Sequence, residues 1–277
     1  MAVDIIALRN KFETPHHLLT TSDNKTLFMR MWEPQGETSK DSAILLLHGI
    51  TAYSRPYGMI AEPLAEKGFT VYGLDLRGHG LSDGNRGDSP SMERFIDDLC
   101  ETLAFVKQRH TKIVIMGHSL GVLSSLIALN NCLEHIDGAV LLSAARKSRP
   151  HAYPKMSIGQ KLKILLSSII RPSKPVIDYY REGMVGLDDP LFNFKYTFRF
   201  MKLVNLVDFK FPEIENLPVF FGIGDNDELF AVEDCQELFD EIPSEDKMFH
   251  VIKDGKHAVF PPDCWDPLTG WLDEHFT

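Results

Sequence analysis

The chain predicts an α/β fold on a mostly parallel, doubly wound sheet. Five short apolar runs recur along it: AILLLHG (43–49), FTVYGLD (69–75), KIVIMGH (112–118), GAVLLSA (138–144) and PVFFGIG (218–224). They are continuous rather than alternating, as expected of strands covered on both faces. Longer segments of helical pattern lie between them, and that succession marks crossover connections in a parallel sheet. The length of 277 residues suits one or two domains, and one large α/β domain can take all of it.

Taken in order, HHLLTT and TLFMRMW flank Ser22-Asp23-Asn24 and predict an antiparallel hairpin. Ser89-Pro90 offers a cap residue and a first-turn proline, so a helix is expected from there to about His110. Leu120 to Leu129 reads as a second helix. From about Arg146 to Phe211 the rhythm breaks. KLKILLSSIIR (161–171) predicts an amphipathic helix. FNFKYTFRF (192–200) alternates aromatic and polar residues and favours a strand by period, whereas the following MKLVNLV favours a helix. Pattern alone leaves that conflict open, and helix is expected to dominate the segment. The chain thus divides into a core part at 1–145, an insertion at 146–211 and a second core part at 212–277.

A formal net charge of -10 argues against nucleic-acid binding, which needs a basic face for the phosphates. The four cysteines, Cys100, Cys132, Cys235 and Cys264, form no C-x-x-C pair. Free thiols in a reducing compartment are expected, not a disulfide framework or a zinc site. MAVDIIALRN has no basic n-region, and no run approaches the roughly 18 apolar residues of a membrane span, so a cytoplasmic protein is expected. DLRGHGLSDG fits neither glycine-rich phosphate fingerprint. Arg77 and His79 are expected to brace that loop, and His48 its neighbour. His16-His17 has no carboxylate or cysteine at ligand spacing; exposed strand histidines are expected, and no metal or cofactor is implied.

Gly117-His118-Ser119-Leu120-Gly121 matches G-x-S-x-G between a predicted strand and a predicted helix, the context that motif requires. A strand turning sharply into a helix strains its apex residue, and the flanking glycines remove side chains that would meet backbone. His118 is a poor base for Ser119, because adjacent residues on a tight apex point apart while a base must approach Oγ to about 3 Å. Downstream, GDNDELF offers Asp225 and Asp227 as acids, and His257 lies in a loop after the apolar MFHVI, whereas His250 sits inside that run.

Four stretches together, LLLHGI, GLDLRGHGLSDG, the serine corner, and the pair GDNDELF and KDGKHAVF, resemble the α/β-hydrolase superfamily. Within it the chain is similar to the monoglyceride lipase, lysophospholipase and serine aminopeptidase group. The resemblance covers nearly the whole chain and is weakest in the insertion, which matches the family's helical cap. It implies a nucleophile–acid–histidine order of Ser119, Asp227 and His257, with Asp225 left as a turn residue. It places the oxyanion donors on the backbone N–H groups of Ile50 and Leu120. The chain departs from monoglyceride lipases after Ile50, where they commonly carry glycine, glutamate and histidine and this chain has Thr51, Ala52 and Tyr53.

The implied activity is cleavage of carboxylic esters with one acyl chain, monoacylglycerol or lysophospholipid, through an acyl-enzyme. Phe192, Phe194, Phe198 and Met201 of the cap are candidates to line an acyl tunnel, and the apolar face of 161–171 is a candidate for transient contact with a membrane surface. A serine aminopeptidase is the alternative, with Glu182, Asp188 and Asp189 as candidates to hold a substrate amine. A non-catalytic binding protein on the same fold is the third reading, and a complete triad speaks against it.

Overall fold

The computed structural model describes residues 4–35, 39–150, 156–180, 184–204 and 209–277. In chain order the elements are α1 (Ile5–Asn10), β1 (His16–Thr20), β2 (Thr26–Trp32), β3 (Ser42–Leu47), α2 (Gly58–Glu66), β4 (Thr70–Leu74), α3 (Met92–Lys107), β5 (Lys112–His118), α4 (Leu120–Asn131), β6 (Gly138–Leu142), α5 (Ile158–Ile170), β7 (Ile177–Asp178), β8 (Lys195–Tyr196), α6 (Phe198–Leu203), β9 (Val219–Gly224), α7 (Val232–Asp240), β10 (Lys247–Ile252) and α8 (Asp266–Phe276). The main sheet has the order β1-β2-β4-β3-β5-β6-β9-β10. β2 pairs antiparallel with β1 and β4, and every pairing from β4 through β10 is parallel.

The five apolar runs form β3, β4, β5, β6 and β9, and every residue of β3, β4, β6 and β9 is buried. Side chains alternate across a strand, so each run feeds two cores. Leu45, Leu47, Ile113, Ile115, Leu141 and Phe221 pack on the side of α3, α4 and α7. Ile44, Leu46, Val114, Met116, Val140 and Phe220 pack on the side of α2 and α8. Because these strands are parallel, their C-terminal ends emerge along one edge, the usual place for a site in an open α/β sheet.

Four expectations need correction. The helix expected from Ser89-Pro90 begins later, at Met92: Ser91 Oγ accepts from the Arg94 N–H, and Pro90 stands before the cap. The alternating stretch 192–200 contributes only the two residues of β8. Thr197 Oγ1 accepts from the Phe200 N–H and starts α6, so a local cap overrides the period. Finally, Cys100 and Cys132 are not free thiols. Packing of α3 against α4 brings their Cα atoms to 5.7 Å, and a disulfide joins them. Cys235 and Cys264 are free. His16 and His17 are half-buried rather than exposed, against Phe28 and Phe105.

Among the described residues, no helix is long and apolar enough to cross a membrane, and no group of three or more His, Cys, Asp or Glu could hold a metal ion. In the segment 146–211, α5 has one buried residue, Ile164. Its other face carries Ile158, Leu162, Leu165, Leu166, Ile169 and Ile170, between 51% and 87% exposed.

Candidate active site

The turn from β5 into α4 holds Ser119 at φ 55° and ψ -113°, outside the regions an L-residue prefers. The surroundings impose it. A Cβ on Gly121 would lie 2.0 Å from the Leu47 carbonyl oxygen, and one on Gly117 would lie 2.2 Å from that of Gly121. The Ser119 N–H donates to Leu142 O of β6 at 2.9 Å, which fixes the apex to the neighbouring strand.

His257 reaches the same edge from the loop after β10. Its Nε2 lies 3.1 Å from Ser119 Oγ, and its Nδ1 lies 2.9 Å from Asp227 Oδ2. Asp227, from the loop after β9, is 2% exposed. Its Oδ1 accepts from the N–H groups of Leu229 at 2.8 Å and Phe230 at 2.9 Å. Burial alone would raise its pKa, but the His257 hydrogen bond and charge, with the two N–H donors, bring it below the usual carboxylate value. The Asp227 charge is therefore retained beside the imidazole. Asp225, two residues earlier, is exposed and makes no contact with His257. The His257 N–H donates to Glu228 Oε2 at 2.9 Å, so the loop is held by backbone as well as by side chain.

His118 points away from Ser119 Oγ. Its Nδ1 accepts from Tyr57 Oη at 2.8 Å, and its Nε2 donates to His257 O at 2.7 Å. Burial, with the positive charge available on His257, pulls its pKa down to about 3, so it stays neutral as a tie between two loops.

The peptide joining Gly49 to Ile50 is held from its carbonyl side. Gly49 O accepts from His48 Nδ1 at 2.8 Å and from the Ala52 N–H at 3.1 Å. His48 Nε2 accepts from the Leu76 N–H at 3.1 Å, which leaves the proton on Nδ1. A trans peptide points its N–H opposite to its carbonyl, so these donors direct the Ile50 N–H the other way. Burial pulls the His48 pKa down to about 4, which keeps this tautomer neutral. His79, also fully buried, lies between the carbonyls of Arg77 and Ile50, and Tyr196 Oη donates to Ile50 O as well. Arg77 grips Asp98 through Nε at 2.7 Å and Nη2 at 2.8 Å. Leu120 is the first residue of α4, so its N–H has no partner within the helix.

Two cavities meet at Ser119, with Ile50, Ser119 and Tyr179 in the walls of both. The larger, about 650 Å³, is lined by Leu123, Ile164, Val176, Ile177, Met201 and Val204 among others. The smaller, about 110 Å³, includes His257 and Phe192 in its wall. Of the four residues expected to line a tunnel, Met201 lines the larger cavity and Phe192 the smaller. Phe194 and Phe198 are half-buried and line neither. Ile164, Val176, Ile177 and Tyr179 were missed in the sequence; the amphipathic run 161–171 was the one signal that pointed to Ile164. Asp189 is occupied by Tyr53 Oη at 2.7 Å, Asp188 is exposed, neither lines either of these two cavities, and Glu182 lies outside the described residues. The acidic residue in the larger cavity is instead Asp178, 3.4 Å from Lys195.

The sequence pattern of the family described as serine aminopeptidase, S33, matches residues 38–261. The chain is 24% identical over 269 residues to a monoglyceride lipase of Rattus norvegicus, covering 89% of this chain and 84% of that one. It is 27% identical over 259 residues to an uncharacterised abhydrolase domain-containing protein of Dictyostelium discoideum, spanning 87% of this chain but only 26% of that protein's length. Its fold is similar to that of a soluble variant of monoglyceride lipase from Saccharomyces cerevisiae, solved with a substrate analog, with a TM-score of 0.75, 20% identity and 96% of each chain covered.

Proposed function

Because the chain belongs to the α/β-hydrolase family described as serine aminopeptidase, S33, we propose that it hydrolyses carboxylic esters carrying one acyl chain, by a Ser119–His257–Asp227 triad. The observation that supports this is the position of His257 between Ser119 Oγ at 3.1 Å and Asp227 Oδ2 at 2.9 Å. His257 Nε2 takes the Ser119 proton as Oγ attacks the ester carbonyl, and Asp227 stabilises the imidazolium that results. The N–H groups of Ile50 and Leu120 receive the negative charge that develops on the carbonyl oxygen. Collapse releases the alcohol, protonated by His257, and leaves an acyl-Ser119 that water then cleaves. Monoacylglycerol and lysophospholipid are the lipid classes that match a single acyl chain in the larger cavity. Residues 146–211 serve as the cap over the two core parts, 1–145 and 212–277. Asp178 in the larger cavity keeps the aminopeptidase as a second reading, with an amine as its ligand.

A fluorophosphonate probe is expected to label Ser119, read by mass spectrometry of the labelled peptide; unchanged labelling of Ser119→Ala would overturn the assignment. Across p-nitrophenyl esters, octanoate and longer chains are expected to give higher kcat/KM than acetate and butyrate. Each methylene buried in the larger cavity contributes about 0.8 kcal/mol. The reverse order would remove the cavity from acyl selection, and strong turnover of aminoacyl anilides would favour the peptidase.

The exposed apolar face of α5, flanked by Lys161, Lys163 and Arg171, supports transient contact of the cap with a lipid surface. Flotation with phosphatidylcholine vesicles is expected to carry the protein. A Leu162→Ser, Leu165→Ser, Ile169→Ser variant is expected to stay behind, and equal flotation of the two would end the idea. The Cys100–Cys132 bond weighs against the reducing compartment expected from the cysteine spacing, since structural disulfides persist in oxidising compartments.

A further inference from the structure

We infer that Arg149 is a positioning residue for the triad acid: it staples the turn at 227–230 that aims the Asp227 carboxylate at His257. The inference rests on the triad proposed above and extends it to a residue that lines neither cavity at Ser119.

Arg149 closes the basic run Arg146-Lys147-Ser148-Arg149 at the start of the inserted segment. Arg146 Nε lies 2.9 and 3.0 Å from the two carboxylate oxygens of Glu241, at the end of α7, which ties the run to the core. Arg149 then reaches the acid turn through main chain and side chain. Its backbone N–H donates to Leu229 O at 2.7 Å. Its Nε donates to Asp227 O at 2.9 Å and to Phe230 O at 3.2 Å.

Peptide geometry carries these contacts to the carboxylate. Leu229 O and the Phe230 N–H belong to one trans peptide and point opposite ways. The oxygen accepts from Arg149, and the N–H donates to Asp227 Oδ1 at 2.9 Å. The side chain acts on the two ends of the same turn. Asp227 O and Phe230 O converge on one N–H, so the negative ends of two carbonyl dipoles are drawn together. The guanidinium charge offsets their repulsion and strengthens both hydrogen bonds. Without it the two oxygens separate and the turn opens. The Leu229 and Phe230 N–H groups then lose their aim at Oδ1, and Oδ2 leaves its 2.9 Å contact with His257 Nδ1. A displacement of about 1 Å at such a contact lowers the rate by up to about 10²-fold. Ser119 stands on a different turn and keeps its place, so the loss falls on kcat.

The test is Arg149→Met, which keeps the aliphatic stem and removes the donors at a half-buried position. With p-nitrophenyl octanoate, kcat is expected to fall about tenfold or more while KM stays within about twofold. Arg149→Gln puts an amide nitrogen where Nε stood and is expected to recover at least about threefold of that loss. Lys147→Met controls for the loss of a surface cation. Lys147 and its partner Glu237 are 69% and 67% exposed, and kcat is expected to be unchanged. In an Asp227→Asn background, Arg149→Met is expected to cost less than about twofold, because the charge it positions is already gone. A merely structural effect would cost the same in both backgrounds. Should Arg149→Met melt below the assay temperature, Arg149→Gln is compared in the two backgrounds instead. A kcat within twofold of the parent protein, an equal loss in both backgrounds, or no recovery in Arg149→Gln overturns the inference, while Ser119 labelling leaves the triad standing. No ester turnover by the parent protein, with Ser119 unlabelled, overturns the triad and this inference with it.

Discussion

Asp227→Asn is expected to lower kcat by about 10⁴, the loss that the equivalent change caused in a serine protease, whereas Asp225→Asn stays within about tenfold. The two carboxylates are two residues apart and differ in what they touch. Asp227 Oδ2 meets His257 Nδ1 at 2.9 Å, and its other oxygen is clamped by two backbone N–H groups. Asparagine keeps the shape and the clamp but presents an amide to the imidazole, which favours the wrong tautomer and removes the charge that stabilises the imidazolium. Asp225 is exposed, and its amide variant changes only solvated surface. Hydrolysis of p-nitrophenyl octanoate measures the effect, and thermal melting checks that both variants fold. The opposite ranking would put the wrong carboxylate in the site.

Gly121→Ala is expected to cost about 3 kcal/mol or more of stability and to abolish labelling of Ser119. Its Cβ would sit 2.0 Å from Leu47 O, a backbone atom of β3 that cannot rotate away. Relief requires α4 to move off the sheet, and α4 carries the Leu120 N–H and the apex serine with it. Gly270→Ala in α8, where nothing lies within 4 Å of the added carbon, is the control and is expected to gain about 0.5–1 kcal/mol from the helix interior. Urea denaturation compares the two. Equal stability of Gly121→Ala and the parent protein would show that the close approach of helix and strand is not required.

Much of this arrangement could be read from local patterns. The runs at 43–49, 112–118 and 218–224 were legible as strands because short continuous apolar runs suit strands covered on both faces. Ser119 announces itself because its glycines and flanking strand and helix lie within a few residues. The choice between Asp225 and Asp227 was less local, since both follow Gly224 and only a family spacing separated them. The fold separates them by the Leu229 and Phe230 N–H groups, which a pattern does not display. The walls of the larger cavity were hidden for a related reason. Ile164, Val176 and Tyr179 share a wall through the path of the chain after α5, not through any period along it. The stretch 192–200 misled in the opposite way: its alternation was real, but the Thr197 cap and the Asn193 hydrogen bonds to Gly78 O and Thr51 O decided the backbone. Cys100 and Cys132 lie 32 residues apart, and only the packing of two helices makes them partners.

That bond has a topological effect. Ser119 lies between Cys100 and Cys132, so β5, the apex and α4 belong to a covalent ring. Closing a ring of this length removes about 3–4 kcal/mol of chain entropy from the unfolded ensemble on the loop-closure model. A protease that cuts anywhere inside the ring produces a nicked molecule, not two fragments. The nucleophile then stays tethered to both halves of the chain, and such a cut becomes visible on a gel only after reduction.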